Sequence, residues 1–408
     1  MKKNDLSKNF IWNMIGSFTN AFISLILMII VTIINGVNEA GVFSFAFSIA
    51  CLFQVVAYYA GRTFQVTNND KDLNDTDFIY NRIISCLIML FFVIVYLFIK
   101  NYSIYKNIVI LLFVFYRMIE AYCDAVYGVI QKNNDLYKVG ISLFLKSVIG
   151  LLLFLIIDIT TRNILIAINS LIFVQTIILL LYDRKNYLKY YVKSVFKFVN
   201  VIKIFKLGLF VFGFTFLIQY ILNVPKYVID DLLASKYQTI YNIIVMPATF
   251  ITLCSQFIIQ PFLIQFKTFV ADNNYLKLKK LTLKILIYVF IVGIFSVLVA
   301  YLLGIPCLEL VYGIKLSDYL IHLVIIIIGA SLFGLSFIVS TVLITMRKTL
   351  GQIIIYLIAS IYITIVSSCF VSNYNLLGAS LAYSSTMFIL AILYISYYYF
   401  ILRKELKK

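Results

Sequence analysis

The sequence predicts an all-α integral membrane protein of about 12 transmembrane helices in two six-helix bundles, and three observations carry that prediction. Of its 408 residues 63% are hydrophobic and 12% charged, against roughly 45–50% and 25% in soluble domains. Long apolar runs recur along the whole chain, each close to the roughly 20 residues that a helix needs to cross the hydrocarbon. The basic residues behind the formal charge of +17 sit in short clusters between those runs, where they set topology and do not mark a nucleic-acid surface.

Taken in order, apolar runs bounded by charges or turn residues place spans near 10–34, 42–60, 78–99, 108–130, 139–157 and 163–182,. A second set falls near 205–223, 238–260, 283–303, 319–345, 353–371 and 376–401. The first run follows Lys2, Lys3 and Lys8. It is longer than a signal-peptide core and has no small-residue cleavage site, so it is expected to stay as a span. Counting connections alternately inward and outward from a cytoplasmic N-terminus leaves only Lys100, Lys106, Arg162, Lys226, Lys236 and Lys315 in outer loops, with most of the 34 Lys and Arg inside. That asymmetry orients the chain with both termini cytoplasmic. The most basic connection divides it into an N-terminal bundle (1–182), a basic cytoplasmic linker (183–206) and a C-terminal bundle (207–408). Two six-helix halves are a common transporter plan, with the substrate path expected near mid-membrane at their interface.

Charges inside a bilayer cost several kcal/mol and persist where they face a cavity or a partner. The fourth span holds Arg117, Glu120 and Asp124, at i, i+3 and i+7 on one helical face. Two readings are open at this point. Arg117 and Glu120 form an intrahelical pair that only joins the bundle, or the stripe lines a polar cavity, with Arg117 holding an anionic group and Glu120 or Asp124 exchanging H⁺ or Na⁺. Lys146 in the fifth span either snorkels outward on its long stem or lines the same cavity. Arg62 and Arg82 flank an acidic loop (Asp70, Asp72, Asp75, Asp77), most of which is expected to be solvated, with Arg82 at an entrance. Pro225 is expected to break the seventh span beside Lys226 as a gate or hinge, and Pro247 and Pro261 to let the eighth bend.

The single His322 has no partner at ligand spacing, and Cys51, Cys86, Cys123, Cys254, Cys307 and Cys369 lie singly in apolar segments. No metal site or disulfide is expected. Walker, dinucleotide-binding and HExxH motifs are absent from the sequence,. No cofactor and no direct use of ATP is therefore expected, and H⁺ or Na⁺ is the coupling ion considered.

The runs Asn13 to Ser17, Ile33 to Gly36, Ala40 to Ser44, Gly61 to Val66, Asn223 to Tyr227 and Gln238 to Leu263, with Met246-Pro247 and Gln260-Pro261 in the last, resemble the polysaccharide (O-antigen type) flippases of the multidrug/oligosaccharidyl-lipid/polysaccharide exporter superfamily. The likeness covers essentially the whole chain and is diffuse. It implies a two-bundle flippase, not an enzyme, in the bacterial cytoplasmic membrane. Such a protein moves an undecaprenyl-diphosphate-linked oligosaccharide between leaflets and works beside a polysaccharide polymerase and other assembly proteins. It further implies phosphate contacts at Arg117 and Lys146, with Arg62 and Arg82 near the entry. Lysine at 226 offers a point charge where arginine would give a planar fork. A drug or metabolite antiporter of the same fold is the first alternative, although an acidic, aromatic cavity would suit organic cations better. A membrane polymerase or glycosyltransferase fits less well, because the outer loops are short and poor in carboxylates. The lipid-linked peptidoglycan precursor flippase of the same superfamily commonly has further C-terminal spans.

Overall fold

Gly36, at φ 86°, ends the first helix and lets the second begin one residue later, a backbone conformation that glycine adopts without steric cost. Asn101 and Arg162 end two later helices in the left-handed conformation, at φ 49° and 47°. Side chains start the helices that follow: Ser103 Oγ accepts the Lys106 amide, and Asn163 Oδ1 accepts those of Leu165 and Ile166,. Tight reversals of this kind turn a string of apolar runs into antiparallel neighbours.

The computed structural model describes residues 3–59, 61–67, 72–192, 194–259 and 262–406. Its helices are α1 (Lys3–Asn35), α2 (Val37–Tyr58), the short α3 (Gly61–Thr67), α4 (Asp75–Lys100), α5 (Ile104–Lys132), α6 (Leu136–Thr161) and α7 (Ile164–Tyr187). There follow α8 (Phe198–Leu232), α9 (Ser235–Ile259), the short α10 (Leu263–Ala271), α11 (Tyr275–Tyr312), α12 (Leu320–Thr345) and α13 (Thr349–Leu406). Among the described residues there is no strand, and nine helices have both the length and the hydropathy to cross a membrane. Two more, α5 with 29 residues and α9 with 25, have the length, and α5 carries three charges in its middle. At 1.5 Å per residue the 58 residues of α13 would reach about 87 Å, far beyond a hydrocarbon core of about 30 Å. They turn at Asn375 (φ 51°, ψ −131°) into two spans, so that twelve segments among the described residues have the length to cross, as expected.

The chain forms two compact units, Met1–Gln219 and Tyr220–Lys408. The boundary lies inside α8, downstream of 206. The segment 183–206 is no free linker. Asp183, Asn186 and Tyr187 are buried within α7, and Asn200 donates to Asp77 Oδ2 at 2.8 Å, so this stretch is fastened to the first unit. In that unit α1 lies along α6 and α2 along α5. In the second, α12 packs against α9, α11 and α13. Neither proline breaks its helix: Pro225 lies inside α8 and Pro247 inside α9. One lost amide donor is tolerated within a membrane helix, because neighbouring groups satisfy the freed carbonyl. Pro225 is buried and Lys226 half-buried, while Pro247 borders an apolar cavity of about 350 Å³ in the second unit. Pro261 lies outside the described residues.

The contact between α1 and α6 is glycine-mediated. A Cβ on Gly140 would stand 2.2 Å from the Trp12 carbonyl oxygen, so α1 and α6 meet nearly backbone to backbone. At the same end of the pair, Asn9 donates to the Asn134 carbonyl at 2.6 Å and accepts the Tyr137 amide at 2.8 Å. Gly140→Ala is expected to cost about 1–3 kcal/mol through overpacking, read as a lower unfolding temperature in detergent. An unchanged temperature would mean that the two helices can separate freely.

Candidate functional site

A cavity of about 250 Å³ opens inside the first unit. Its wall combines α1 (Asn20), α3 (Arg62), α5 (Glu120, Asp124), α6 (Lys146) and α7 (Gln175). The helical stripe read from the sequence therefore does face a cavity, and the intrahelical pair exists as well. Arg117 Nη1 binds Glu120 Oε2, its other amino group lies 3.2 Å from Cys51 Sγ, and its guanidinium sits 4.5 Å from the Phe47 ring centre. Glu120 also accepts from Gln54 at 3.1 Å. Of the pair, it is Glu120 that reaches the wall.

One turn further along α5, Asp124 receives two arginines. Arg82 Nη2 lies 3.1 Å from Oδ2, and Arg62 Nε lies 3.7 Å from Oδ1. Expected separately at a loop mouth, the two arginines converge on one carboxylate. They do different work. Arg82 is buried and spends Nη1 on the carbonyls of Ala57 (2.9 Å) and Tyr58 at the end of α2, where a cation suits the unsatisfied carbonyls and the helix dipole. Arg62, at 29% side-chain exposure, is the more open of the two and forms part of the wall.

Lys146 neither snorkels nor stands free. Its ammonium meets Asp183 Oδ2 at 2.5 Å, Tyr127 Oη at 2.7 Å and Cys123 Sγ at 3.1 Å. An ammonium has three N–H donors, and all three are occupied. Tyr127 in turn lies 2.8 Å from Ser142 Oγ. Asp183 is the residue that sequence reasoning missed. The sequence puts it one position outside the sixth span, at the head of the basic linker. In the structure the helix continues through a π-helical turn, Leu179–Asp183, into Arg184–Tyr187. The extra residue in that turn carries the carboxylate back to Lys146, and π-turns of this kind are frequent at functional sites. The available signal was an acid directly abutting an apolar run.

Around the cavity, then, stand four cations (Arg62, Arg82, Arg117, Lys146) and three carboxylates (Glu120, Asp124, Asp183). Every acid is paired, and the wall proper carries two charges of each sign. The surplus of one positive charge comes from the flanking residues. The acidic loop is also less free than expected. Asp75 pairs with Lys132 at 2.6 Å and Asp72 with Lys203 at 3.5 Å, and Asp77 is fully buried. Asp70 lies outside the described residues. Among the described residues no three His, Cys, Asp or Glu side chains gather as a metal site would require.

No family model matches the chain. It is 25% identical over 402 residues to a capsular polysaccharide biosynthesis protein, CapF, of Staphylococcus aureus, covering 96% of this chain and 98% of that one. Among solved structures, an inward-facing multidrug resistance MATE family transporter of the MOP superfamily superposes with a TM-score of 0.70 at 13% identity, over 95% of this chain and 96% of the other. The lipid II flippase MurJ, in an inward closed conformation, gives 0.70 at 15% identity, over 94% and 87%. The Vibrio cholerae MATE transporter VcmN in its bent form gives 0.63 at 15%, over 98% of each chain. The exporter-superfamily likeness read from the residues thus agrees with a polysaccharide-biosynthesis relative and with a multi-pass membrane fold shared by transporters and flippases.

Proposed function

We propose that this protein flips an undecaprenyl-diphosphate-linked oligosaccharide across a bacterial cytoplasmic membrane for surface polysaccharide synthesis, by alternating access coupled to an H⁺ or Na⁺ gradient. Both termini are cytoplasmic in this reading, and a polysaccharide polymerase acts on the delivered units. The observation that carries it is Arg62 and Arg82 converging on Asp124 at a cavity wall: a guanidinium with donors toward the cavity recognises a phosphate. Asp124 is then the carboxylate whose hold on Arg62 the ligand loosens for the coupling ion, with Glu120 beside it on the wall. Glu120 and Asp124 on the wall, together with the MATE fold, support a cation-coupled drug or metabolite antiporter as the second reading. It is the weaker one, because both acids already hold arginines.

Deleting the gene is expected to abolish surface glycan and to accumulate lipid-linked repeat units in the cytoplasmic leaflet. Wild type restores the glycan and Arg117→Ala does not, because Glu120 loses its cation. Intact glycan with raised sensitivity to cationic drugs would replace the flippase by the antiporter.

A further inference from the structure

The segment from Arg184 to Val199 has no acidic residue, and none appears between Asp183 and Asp230. Along 188–192 and 194–197 it is not helical, and past Tyr191, whose amide still reaches the Tyr187 carbonyl, the described backbone has left the helix ladder. Yet Leu188, Val192, Val195, Phe198 and Val199 are 56–79% exposed, interleaved with the exposed cations Arg184, Lys185, Lys189 and Lys197. The other side of the segment is fastened to the first unit. Tyr191 Oη lies 3.0 Å from Thr76 Oγ1, which also accepts the Ser194 amide at 3.1 Å, and the Phe196 ring lies 4.5 Å from that of Tyr80.

A belt with its polar anchors toward the protein and a mixed apolar and basic face outward fits one environment. Irregular backbone is excluded from the hydrocarbon core, and so many exposed aliphatic side chains are poorly suited to bulk water. At the interface the valines and phenylalanine enter the acyl boundary while the cations meet headgroup phosphates. We infer that residues 184–192 and 194–199 form an interfacial belt that docks the first unit on anionic phospholipid headgroups. Because Asn200 and Asp77 tie the belt to the start of α4, lipid binding there also steadies the N-terminal ends of α4 and α8.

The test uses the purified full-length protein in vesicles of phosphatidylcholine alone or with a quarter of phosphatidylglycerol, reading unfolding temperature and the lipid retained on gentle extraction. Wild type is expected to retain phosphatidylglycerol over phosphatidylcholine by roughly tenfold, an effect that fades with salt. The combined variant Arg184→Gln, Lys185→Gln, Lys189→Gln, Lys197→Gln loses that preference. A variant with the same charge change in α11 (Lys277, Lys279, Lys280 and Lys284 to Gln) keeps it. Should the belt variant not fold, Lys185→Arg, Lys189→Arg, Lys197→Arg must fold and keep the preference, while Val192→Ser, Val195→Ser must weaken it. Equal retention by belt and control variants, no preference in wild type, or full stabilisation by inorganic phosphate without lipid would each overturn the assignment.

Discussion

Replacing Lys146 by methionine is expected to destabilise the protein by about 3–5 kcal/mol, the cost of leaving a buried charge without its partner. The stranded group is Asp183, 1% exposed, whose nearest cation is the removed ammonium at 2.5 Å. Asp183→Leu alone should cost a similar amount, because it leaves the buried ammonium without a carboxylate in contact and with only Tyr127 and Cys123 as hydrogen-bond partners. The double variant should recover most of the loss, since a buried ion pair exchanged for apolar groups is often close to neutral. Thermal unfolding of the two singles and the double closes the cycle. Additive losses would show that the two side chains act independently and that their contact has no energetic weight. The cycle also separates two roles of Lys146. With all three donors occupied, it can reach a ligand only by releasing one, so a folded double variant that still transports would assign it to structure.

The second large effect is expected at Asp124, and its sign is opposite at the two members of one ion pair. Arg62→Ala should weaken binding of inorganic diphosphate, the probe for the proposed substrate's charged group, by roughly 10–100-fold, the value of a charge-assisted hydrogen bond. Asp124→Asn should tighten it several-fold, because the carboxylate and the ligand compete for the same guanidinium. Equilibrium binding to the purified protein, followed by the fluorescence of the single Trp12 in the first unit, provides the measurement. A loss in both variants would mean that Asp124 only holds Arg62 in place. Such competition, once measured, would support the proposed ion coupling: a ligand that takes Arg62 leaves Asp124 with Arg82 alone and readier to accept H⁺ or Na⁺, and a bound ion in turn loosens Arg62.

The spans were legible because bilayer thickness writes itself into the length of apolar runs, and most helix ends fall within a few residues of those expected. The larger differences have local causes. The seventh span runs to Leu232, well past Pro225, because a proline removes one hydrogen bond and a membrane helix can go on without it. The charge stripe of α5 was legible as well, since Arg117, Glu120 and Asp124 are conspicuous among apolar neighbours. Their partners were not. Arg62 and Arg82 come from different helices, and nothing in their spacing says that they meet on Asp124. Asp158 also escaped notice. It is fully buried near the end of α6, accepts from Asn35 of α1 at 2.7 and 2.8 Å, and in the sequence reads as one acid closing an apolar run.

The π-helical turn at Leu179–Asp183 makes the Lys146 pair a matter of residue number as much as of residue type. A helix advances by 100° per residue and the π-turn takes up one extra residue, so losing a single codon between 179 and 182 would remove that residue together with the wide turn and leave Asp183 facing Lys146. The site thus tolerates a kind of genetic change that substitution scans never sample, one that would put most helices out of register.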